Sequence, residues 1–482
     1  MPFLPQRPKH ETGTQPSLSI PKFLLPFADA ASDTLPLPRL LRLSLFQVSV
    51  GIVTALLTGA VNRVMIVELA VPATLVALMV ALPLVFAPFR ALIGHRSDNH
   101  VSYFGWRRGP YIWFGGLLQF GGLAIMPFAL LVLSEAQGSE VILGTAAGAL
   151  AFLLVGAGLH TTQTSGLALA TDLAPEDDRP KVVALLYVML LVGMALGAAV
   201  FSFFLSDFTP VRLIKVIQAT AVVSVVLNVV ALWKQEAPNL ALTAPERERT
   251  DFASRWHAFR KKPNVDRILI SIGMGAAAFA MQDVLLEPYG GEVLGMSVSE
   301  TTILTALFAL GTIGGFSLAA RRLASGAQSF RTAALGILFG LVGFSAIILS
   351  GPFSTVLLFQ IGVAIIGFGG GTFSVCTMTA IMDFTDGEAS GIALGAWGAV
   401  QATCAGLAIA VGGAIRDALS SLAEAGILGP ALSNISVGYV VVYHIEILLL
   451  FVSLAIIGPL ARYGPSEPTP QKRRLTISAF PQ

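Results

Sequence analysis

Long runs of apolar residues recur along most of the 482-residue chain. A helix needs about 20 consecutive apolar residues to cross the hydrocarbon core of a bilayer, because each residue adds only about 1.5 Å along its axis. We therefore expect twelve transmembrane helices, at about 43–67, 73–93, 110–134, 141–169, 182–206, 211–233, 267–286, 299–319, 330–350, 353–375, 386–413 and 437–461.

Few charged residues are available to cover a water-soluble surface. Hydrophobic residues make up 55% of the chain, charged residues make up 12%, and the mean hydropathy is +0.77. A typical soluble domain is about 25% charged. A membrane-spanning segment must satisfy its backbone hydrogen bonds internally. The composition therefore predicts an all-α membrane protein whose main solvent is the lipid bilayer.

The basic residues are unevenly distributed between alternate loops. If the N-terminus lies in the cytoplasm, only Arg63, Arg212, Lys215 and Arg416 of the 30 Lys and Arg residues fall on the outer side. Cytoplasmic loops of membrane proteins carry an excess of Lys and Arg. We therefore expect both the N-terminus and the C-terminus on the cytoplasmic side.

A polar, basic segment in the middle of the chain divides the apolar spans into two groups of six. This segment, 234–266, predicts a cytoplasmic linker with a short amphipathic helix around Phe252–Phe259. The expected organisation is a cytoplasmic segment (1–42), a six-helix half (43–233), the linker, a second six-helix half (267–461) and a cytoplasmic tail (462–482).

The two halves resemble each other in sequence. The fourth span ends in HTTQTSGLALATDL from His160, and the tenth ends in GTFSVCTMTAIMDF from Gly371, so that Asp172 and Asp383 occupy equivalent positions. Parallel six-helix repeats are the construction principle of major facilitator transporters. The repeat therefore predicts twelve transmembrane helices in two six-helix pseudo-symmetric halves with the major facilitator fold. Asp172 and Asp383 are expected to cap the turns that follow them.

The loop between the second and third spans contains a short motif of glycine, acid and basic residues. Gly94 and Asp98 are spaced i, i+4, and Arg107 and Arg108 follow. The motif resembles the cytoplasmic signature of the major facilitator superfamily, although the loop is longer. The resemblance implies that Asp98 caps a helix or pairs with arginines across the two halves. The alternative is a basic loop that only sets the topology.

Longer phrases carry a narrower resemblance. NRVMIVELAVPATLVALMVALPLVFAPFRALIGHRSD from Asn62, and LLVGAGLHTTQTSGLALATDLAPEDDRPKVVALL from Leu153, are similar to the PucC/LhaA proteins. These form the bacteriochlorophyll delivery branch of the major facilitator superfamily in purple phototrophic bacteria. The resemblance implies a bacterial cytoplasmic (inner or intracytoplasmic) membrane protein that assembles light-harvesting complexes. Its partners would be antenna polypeptides, bacteriochlorophyll and the enzymes that synthesise bacteriochlorophyll.

Bacteriochlorophyll contains a magnesium ion that takes an axial donor, for which a neutral imidazole is suitable. His160 lies in the middle of a span within the phrase most similar to PucC/LhaA, and it is our candidate for a pigment-binding residue. The competing interpretation is a histidine that hydrogen-bonds to a neighbouring helix. His444 also lies within a span, near Glu446, but close to the membrane surface, where pairing with an interfacial group is favoured over ligation.

Charged residues inside membrane spans are costly and usually functional. Arg63 closes the first span and Asp283 lies late in the seventh, at matching repeat positions. The two are candidates for an ion pair that locks the outer ends of the two halves. The alternative is two charges that extend separately to the membrane surface. Glu68 and Glu287 are expected nearer the surface.

No phosphate loop, zinc-ligand spacing or nucleophile elbow occurs in the sequence, so we expect a protein that is not an enzyme. The formal net charge of +2 gives no reason to expect a nucleic-acid partner. Two other functions remain open beside pigment delivery. One is a secondary transporter of a small solute, although the spans contain few charges for coupling. The other is a pigment-free structural chaperone of antenna helices.

Overall fold

In the part of the chain that the structure describes, twelve main helices follow one another in the order of the apolar spans. The computed structural model describes residues 31–463 except 33–34, 86, 88–89, 91–92, 94–95, 98–99, 101, 103–104, 136–138, 176–177, 239–255, 258, 263 and 384–389. The first six helices are α1 Leu37–Ala55, α2 Ala73–Val85, α3 Gly109–Glu135, α4 Ser139–Leu173, α5 Arg179–Phe204 and α6 Pro210–Leu232. The second six are α7 Val265–Ala280, α8 Val298–Ala324, α9 Ser329–Ser350, α10 Val356–Asp383, α11 Ser390–Glu424 and α12 Ser436–Tyr463.

Eleven helical segments in the described residues are long and apolar enough to cross a membrane. The exception, α2, has 13 described helical residues, and the remainder of the predicted second span lies partly outside the described residues. Two helices are longer than expected, since α4 and α11 each contain 35 residues. The structure confirms the all-helical architecture and agrees with the predicted twelve spans, while α11 continues well past the predicted end at residue 413.

The first span and the seventh span both depart from regular α geometry near the same end of the bundle. The first continues beyond α1 as two π-helical segments, Leu56–Val61 and Val64–Glu68. The seventh passes from α7 into a 3-10 turn, Met281–Val284, and then a short helix, Leu286–Glu292. Such departures from the i→i+4 pattern leave backbone carbonyls available to side chains and are frequent at functional sites.

The two halves contact each other mainly through two pairs of helices. Helix α2 packs against α11, and α5 packs against α8. Within the first half, α1 and α5 approach very closely at Gly51, where a Cβ atom would lie 2.0 Å from the Leu190 carbonyl oxygen. Large apolar side chains cover the outside, including Phe203 at 75% exposure and Ile142 at 73%. This arrangement is the one expected of a protein whose outer surface faces lipid.

Candidate functional site

We call the end of the bundle where α1 begins and α12 finishes the terminal end, and the opposite end the far end. Hydrogen bonds join described residues of the two halves at the far end. The Asn62 side-chain amide donates to the Val284 carbonyl over 2.9 Å, and Arg63 Nη2 donates to the Met296 carbonyl over 3.1 Å. A third contact joins the hydroxyls of Ser202 and Ser299, 2.9 Å apart.

A carboxylate of the second half also holds the first turn of α2 at the far end. Asp417 Oδ2 accepts hydrogen bonds from the Thr74 amide over 2.6 Å and from the Thr74 hydroxyl over 2.7 Å. Asp417 Oδ1 accepts from the Ala73 amide over 3.2 Å. The first N–H groups of a helix have no partner within the helix, and a carboxylate there is favoured by the helix dipole. Asp417 therefore acts as an N-terminal cap supplied by the other half.

The predicted pairing of Arg63 with Asp283 is not found in the structure. Arg63 forms its ion pair with Glu68, five residues later in the same span. Asp283 accepts a hydrogen bond from Gln282 Nε2 over 2.7 Å. Arg63 instead connects the two halves through the backbone carbonyl of Met296 rather than through an acidic side chain.

Two further carboxyl groups are buried in the second half. Glu287 is 2% exposed and Glu446 is 0% exposed. Glu287 Oε1 accepts from the Thr305 hydroxyl over 2.6 Å, whereas its Oε2 atom has no hydrogen-bond partner. Neither carboxyl oxygen of Glu446 forms a hydrogen bond of normal distance and angle. The backbone of Gln282 is its polar neighbour, and Asp283 is its acidic neighbour. Sequence reasoning placed Glu287 nearer the surface and gave Glu446 no role, although the apolar residues around Glu446 indicated burial.

At the terminal end, the two predicted arginines of the signature loop form ion pairs within the first half. Arg107 Nη2 lies 2.5 Å from Asp172 Oδ2, and Arg108 Nε lies 3.1 Å from the same oxygen. Arg108 also donates to the Ser97 hydroxyl over 2.6 Å. Asp172 was expected to cap the following turn, and the ion pairs with the arginines correct that expectation. Gly94 and Asp98 lie outside the described residues.

A carboxylate that follows α6 caps the start of α3 beside this pair. Glu236 accepts from the backbone amides of Arg107, Arg108 and Gly109, with donor–acceptor distances of 2.7, 2.9 and 2.7 Å. Three backbone donors on one carboxylate satisfy most of the N–H groups left free at the start of a helix. This residue was not singled out from the sequence, because a cap supplied from a distant part of the chain has no local signature.

His160 lies half-buried on α4, as expected for a residue in the middle of a span. Its ring lies near the carbonyl of Pro83, and the charge of Arg90 acts on it. Pro83 is inside α2. The imidazole thus has a backbone carbonyl beside it on a neighbouring helix, which matches the packing interpretation, and its half-buried ring is also compatible with pigment ligation.

Arg90 lies beside this histidine and is also half-buried. Its Nε atom donates to the Thr164 hydroxyl over 3.1 Å, and its Nη2 atom donates to Gln163 Oε1 over 2.8 Å. Tyr187 of α5 interacts with it electrostatically. Arg90, which follows α2, thus meets side chains of α4 and α5. Its guanidinium lies with an imidazole, an amide, a hydroxyl and a phenol, and we call these five side chains the central polar group.

His444 does not belong to this group. It lies exposed on α12, and its Nδ1 atom is 2.7 Å from the Val440 carbonyl of the preceding turn. Among the residues that the structure describes, no three His, Cys, Asp or Glu side chains are arranged to hold a metal ion.

Comparison with known proteins identifies the family. A profile described as PUCC protein matches residues 60–464. The chain belongs to the PucC family. It is 52% identical to Protein PucC of Cereibacter sphaeroides over 92% of this chain and 96% of that protein. It is 28% identical to the bacteriochlorophyll synthase 44.5 kDa chain of Rhodobacter capsulatus over 79% of this chain and 87% of that protein.

Solved structures show the fold of this PucC-family chain independently of sequence. A bacterial homologue of the human lysosomal transporter Spinster, in an inward-facing and unoccupied conformation, superposes with a TM-score of 0.65. It is 16% identical and aligns over 88% of this chain and 96% of that one. The fold is therefore that of the major facilitator transporters, as the internal repeat predicted. The central polar group and the inter-half hydrogen bonds of the far end both lie within the part that matches the PucC profile.

Proposed function

We propose that this PucC-family protein is a non-enzymatic membrane assembly factor for bacterial light-harvesting complexes. It binds bacteriochlorophyll and delivers it to antenna polypeptides. Membership of the PucC family over residues 60–464 supports this proposal, and so does the similarity to a protein named for bacteriochlorophyll synthesis. The distribution of Lys and Arg supports placement in the bacterial cytoplasmic (inner or intracytoplasmic) membrane with both termini inside.

The observation that carries the proposal is the half-buried imidazole of His160 within the central polar group. A large apolar macrocycle gains most of its binding free energy from buried area, at about 25 cal/mol per Å². Its magnesium needs one additional axial donor. A neutral imidazole on a helix that faces other spans supplies such a donor without placing a charge in the membrane. The residues present therefore fit the pigment as cargo.

The absorption spectrum of the gently solubilised protein tests this function. We expect the protein, purified in mild detergent from a pigmented host, to carry bacteriochlorophyll in a fixed ratio that survives gel filtration. A membrane protein of similar size purified from the same membranes is the control for pigment that partitions into detergent. A colourless preparation, together with normal antenna levels in a strain that lacks the protein and its relatives, would refute the proposal.

A secondary transporter of a small solute is the second candidate, and one observation favours it. Among the described residues, the hydrogen bonds between the halves lie at the far end. The half-buried carboxyl group of Asp283 and the buried carboxyl groups of Glu287 and Glu446 lie in helical segments of that region. Carboxyls of this kind are the groups that proton-coupled transporters use. Solute uptake into vesicles, driven by an imposed proton or sodium gradient, would establish transport. A pigment-free chaperone would show neither uptake nor a pigment spectrum.

A further inference from the structure

Arg90, which is half-buried, differs in its partners from the three most buried arginines of the described residues. Arg63, Arg108 and Arg416 are each less than 9% exposed, and each pairs with a carboxylate: Glu68, Asp172 and Glu292 respectively. Arg90 forms no ion pair with a described residue, and both of its hydrogen-bond acceptors are neutral. An arginine within the membrane that has no counter-ion is costly. In Arg63, Arg108 and Arg416 a carboxylate partner offsets that cost.

The neutral acceptors hold the guanidinium in one orientation. Thr164 and Gln163 are adjacent on α4, and they occupy the Nε and Nη2 donors of Arg90. The remaining N–H groups of the planar fork are free to bind two oxygens of one anion side by side. The side chain is only half-buried, so a ligand can reach it. Fixing an arginine in advance reduces the entropy lost when an anion binds.

The side chains beside Arg90 also restrict which ligands can place an anionic group at this site. His160 lies one helical turn from Thr164 on the same side of α4, and Tyr187 faces Arg90 from α5. Among the described residues, the groups that interact with Arg90 are Gln163, Thr164, Tyr187 and His160, and none of them carries a negative side-chain charge at neutral pH. The imidazole of His160 suits a metal ion or a hydrogen-bonding group of an apolar ligand. The guanidinium of Arg90 suits a single oxyanion on the same ligand.

We propose that Arg90 is an oxyanion-binding residue that takes the carboxylate or phosphate of a ligand lying against the Gln163–Thr164 turn of α4. Where the ligand is pigment, the inference rests on the proposed function, and the preferred cargo is the pigment with a free propionate rather than its ester. The phosphate of an anionic lipid offers the same chemistry. The two sources can be distinguished by experiment.

The pigment arm uses two ligands that differ by one methyl group: bacteriochlorophyll hydrolysed to its free acid, and the methyl ester of that acid. Fluorescence titration of the purified full-length protein should show the free acid binding about tenfold to a hundredfold more tightly, the range expected for one charge-assisted hydrogen-bond pair. Arg90→Gln should abolish this preference, and Arg90→Lys should keep part of it. Arg267→Gln, which removes an exposed guanidinium that donates to the Ile456 carbonyl, should leave the preference unchanged.

The lipid arm uses native mass spectrometry of the same variants in mixed phosphatidylglycerol and phosphatidylcholine. Phosphatidylglycerol retained by the wild type and by Arg90→Lys, and lost from Arg90→Gln, would identify a lipid as the source of the oxyanion. If Arg90→Gln does not fold, two measurements on the wild type test the inference instead. These are the ratio of its affinities for the free acid and the methyl ester, and its selective retention of phosphatidylglycerol. Equal affinity for acid and ester together with no selective lipid retention would overturn the inference. If neither pigment form binds, delivery of pigment fails, and the lipid arm alone decides the role of Arg90.

Discussion

The side-chain amide of Asn62 donates to the backbone carbonyl of Val284 at a distance of 2.9 Å. Val284 lies in the 3-10 turn where the seventh span leaves α geometry, so its carbonyl is available to a partner outside the helix. Asn62 lies where the first span is itself irregular, between the two π-helical segments. The irregular segments of two pseudo-symmetric spans thus bind each other where the halves meet.

Replacing Asn62 should loosen the far end. Asn62→Leu removes the bond and leaves the Val284 carbonyl without this donor, at a cost of about 1 kcal/mol in a membrane protein. We expect the population with a separated far end to rise about fivefold. Spin labels at Ser206 and Ser354, which are both exposed, would report this as longer distances by pulsed electron resonance.

Asn228→Leu is the matched control for this experiment. Asn228 is 2% exposed on α6, and neither atom of its side-chain amide has a hydrogen-bond partner. The substitution therefore changes a buried asparagine to leucine without removing a bond between the halves. An identical distance distribution in Asn62→Leu and in Asn228→Leu would show that the Asn62 bond does not hold the far end closed.

The buried Glu446 and the half-buried Glu292 should respond differently to the same substitution. Glu292 Oε2 accepts from Arg416 and, over 2.7 Å, from the Tyr439 hydroxyl. Glu292→Gln leaves a mostly buried arginine with a weaker set of partners and should cost about 2–3 kcal/mol. Glu446→Gln removes a carboxyl that has no hydrogen-bond partner and should leave stability unchanged or higher. Thermal unfolding in detergent measures both, and equal losses would mean that Glu446 has an ionic partner.

The correct partner of Arg63 illustrates what sequence reasoning could and could not reach. Lipid dictates the length and polarity of a spanning helix, so the number of spans and the two halves followed from hydropathy and repeats. Arg63 and Glu68 are five residues apart, and in an α-helix residues at that spacing point in different directions. They meet because the span is wound with i→i+5 bonds over Val64–Glu68. Nothing local in the sequence indicated that winding.

In the central polar group, too, some residues could be singled out from the sequence and others could not. His160 was found from the sequence because a nitrogen donor in the middle of a span is unusual. Arg90 was not singled out, since the predicted second span ended only three residues later and an arginine there has the ordinary role of setting topology. Its contacts with Gln163 and Thr164 depend on where the chain beyond the end of α2 meets α4. Helix packing of that kind is not encoded in the periodicity of either span.

Membrane orientation can be tested with two single cysteines in a variant that lacks Cys376 and Cys404. Ser350, at the end of α9, is 0% exposed, so Ser354 in the following turn is the better position. Ser354→Cys lies at the far end, and Lys261→Cys lies before α7 at the terminal end, and both positions are exposed. With both termini in the cytoplasm, an impermeant reagent added to intact cells should label Ser354→Cys and not Lys261→Cys.

Disrupted cells give the control for that experiment, because both cysteines should then react. If only Lys261→Cys is labelled in intact cells, the orientation of the protein in the membrane is the reverse of the predicted one. The far end, with its inter-half hydrogen bonds, would then face the cytoplasm, opposite to the orientation expected from the Lys and Arg distribution.

His160 and His444 provide the final comparison, because both are histidines within spans and only His160 belongs to the central polar group. If His160 is an axial ligand of the pigment magnesium, His160→Leu should shift the long-wavelength absorption band and the resonance Raman marker of magnesium coordination. Bound pigment should also decrease, although the buried area of the macrocycle retains part of the affinity. His444→Leu should leave both signals unchanged, because that ring is exposed and contacts only the Val440 carbonyl of its own helix among described residues.

Insertion and folding must be intact for the comparison to be valid, and gel filtration of both variants establishes this. Unchanged pigment occupancy with unchanged coordination markers in His160→Leu would make His160 a packing residue next to the Pro83 carbonyl. The magnesium would then take its donor from a backbone carbonyl or a water molecule. That result would leave the assembly function standing, since delivery requires only that the macrocycle be bound and released. It would mean that the imidazole of His160 does not coordinate the magnesium, and Arg90 would remain the charged group of the site.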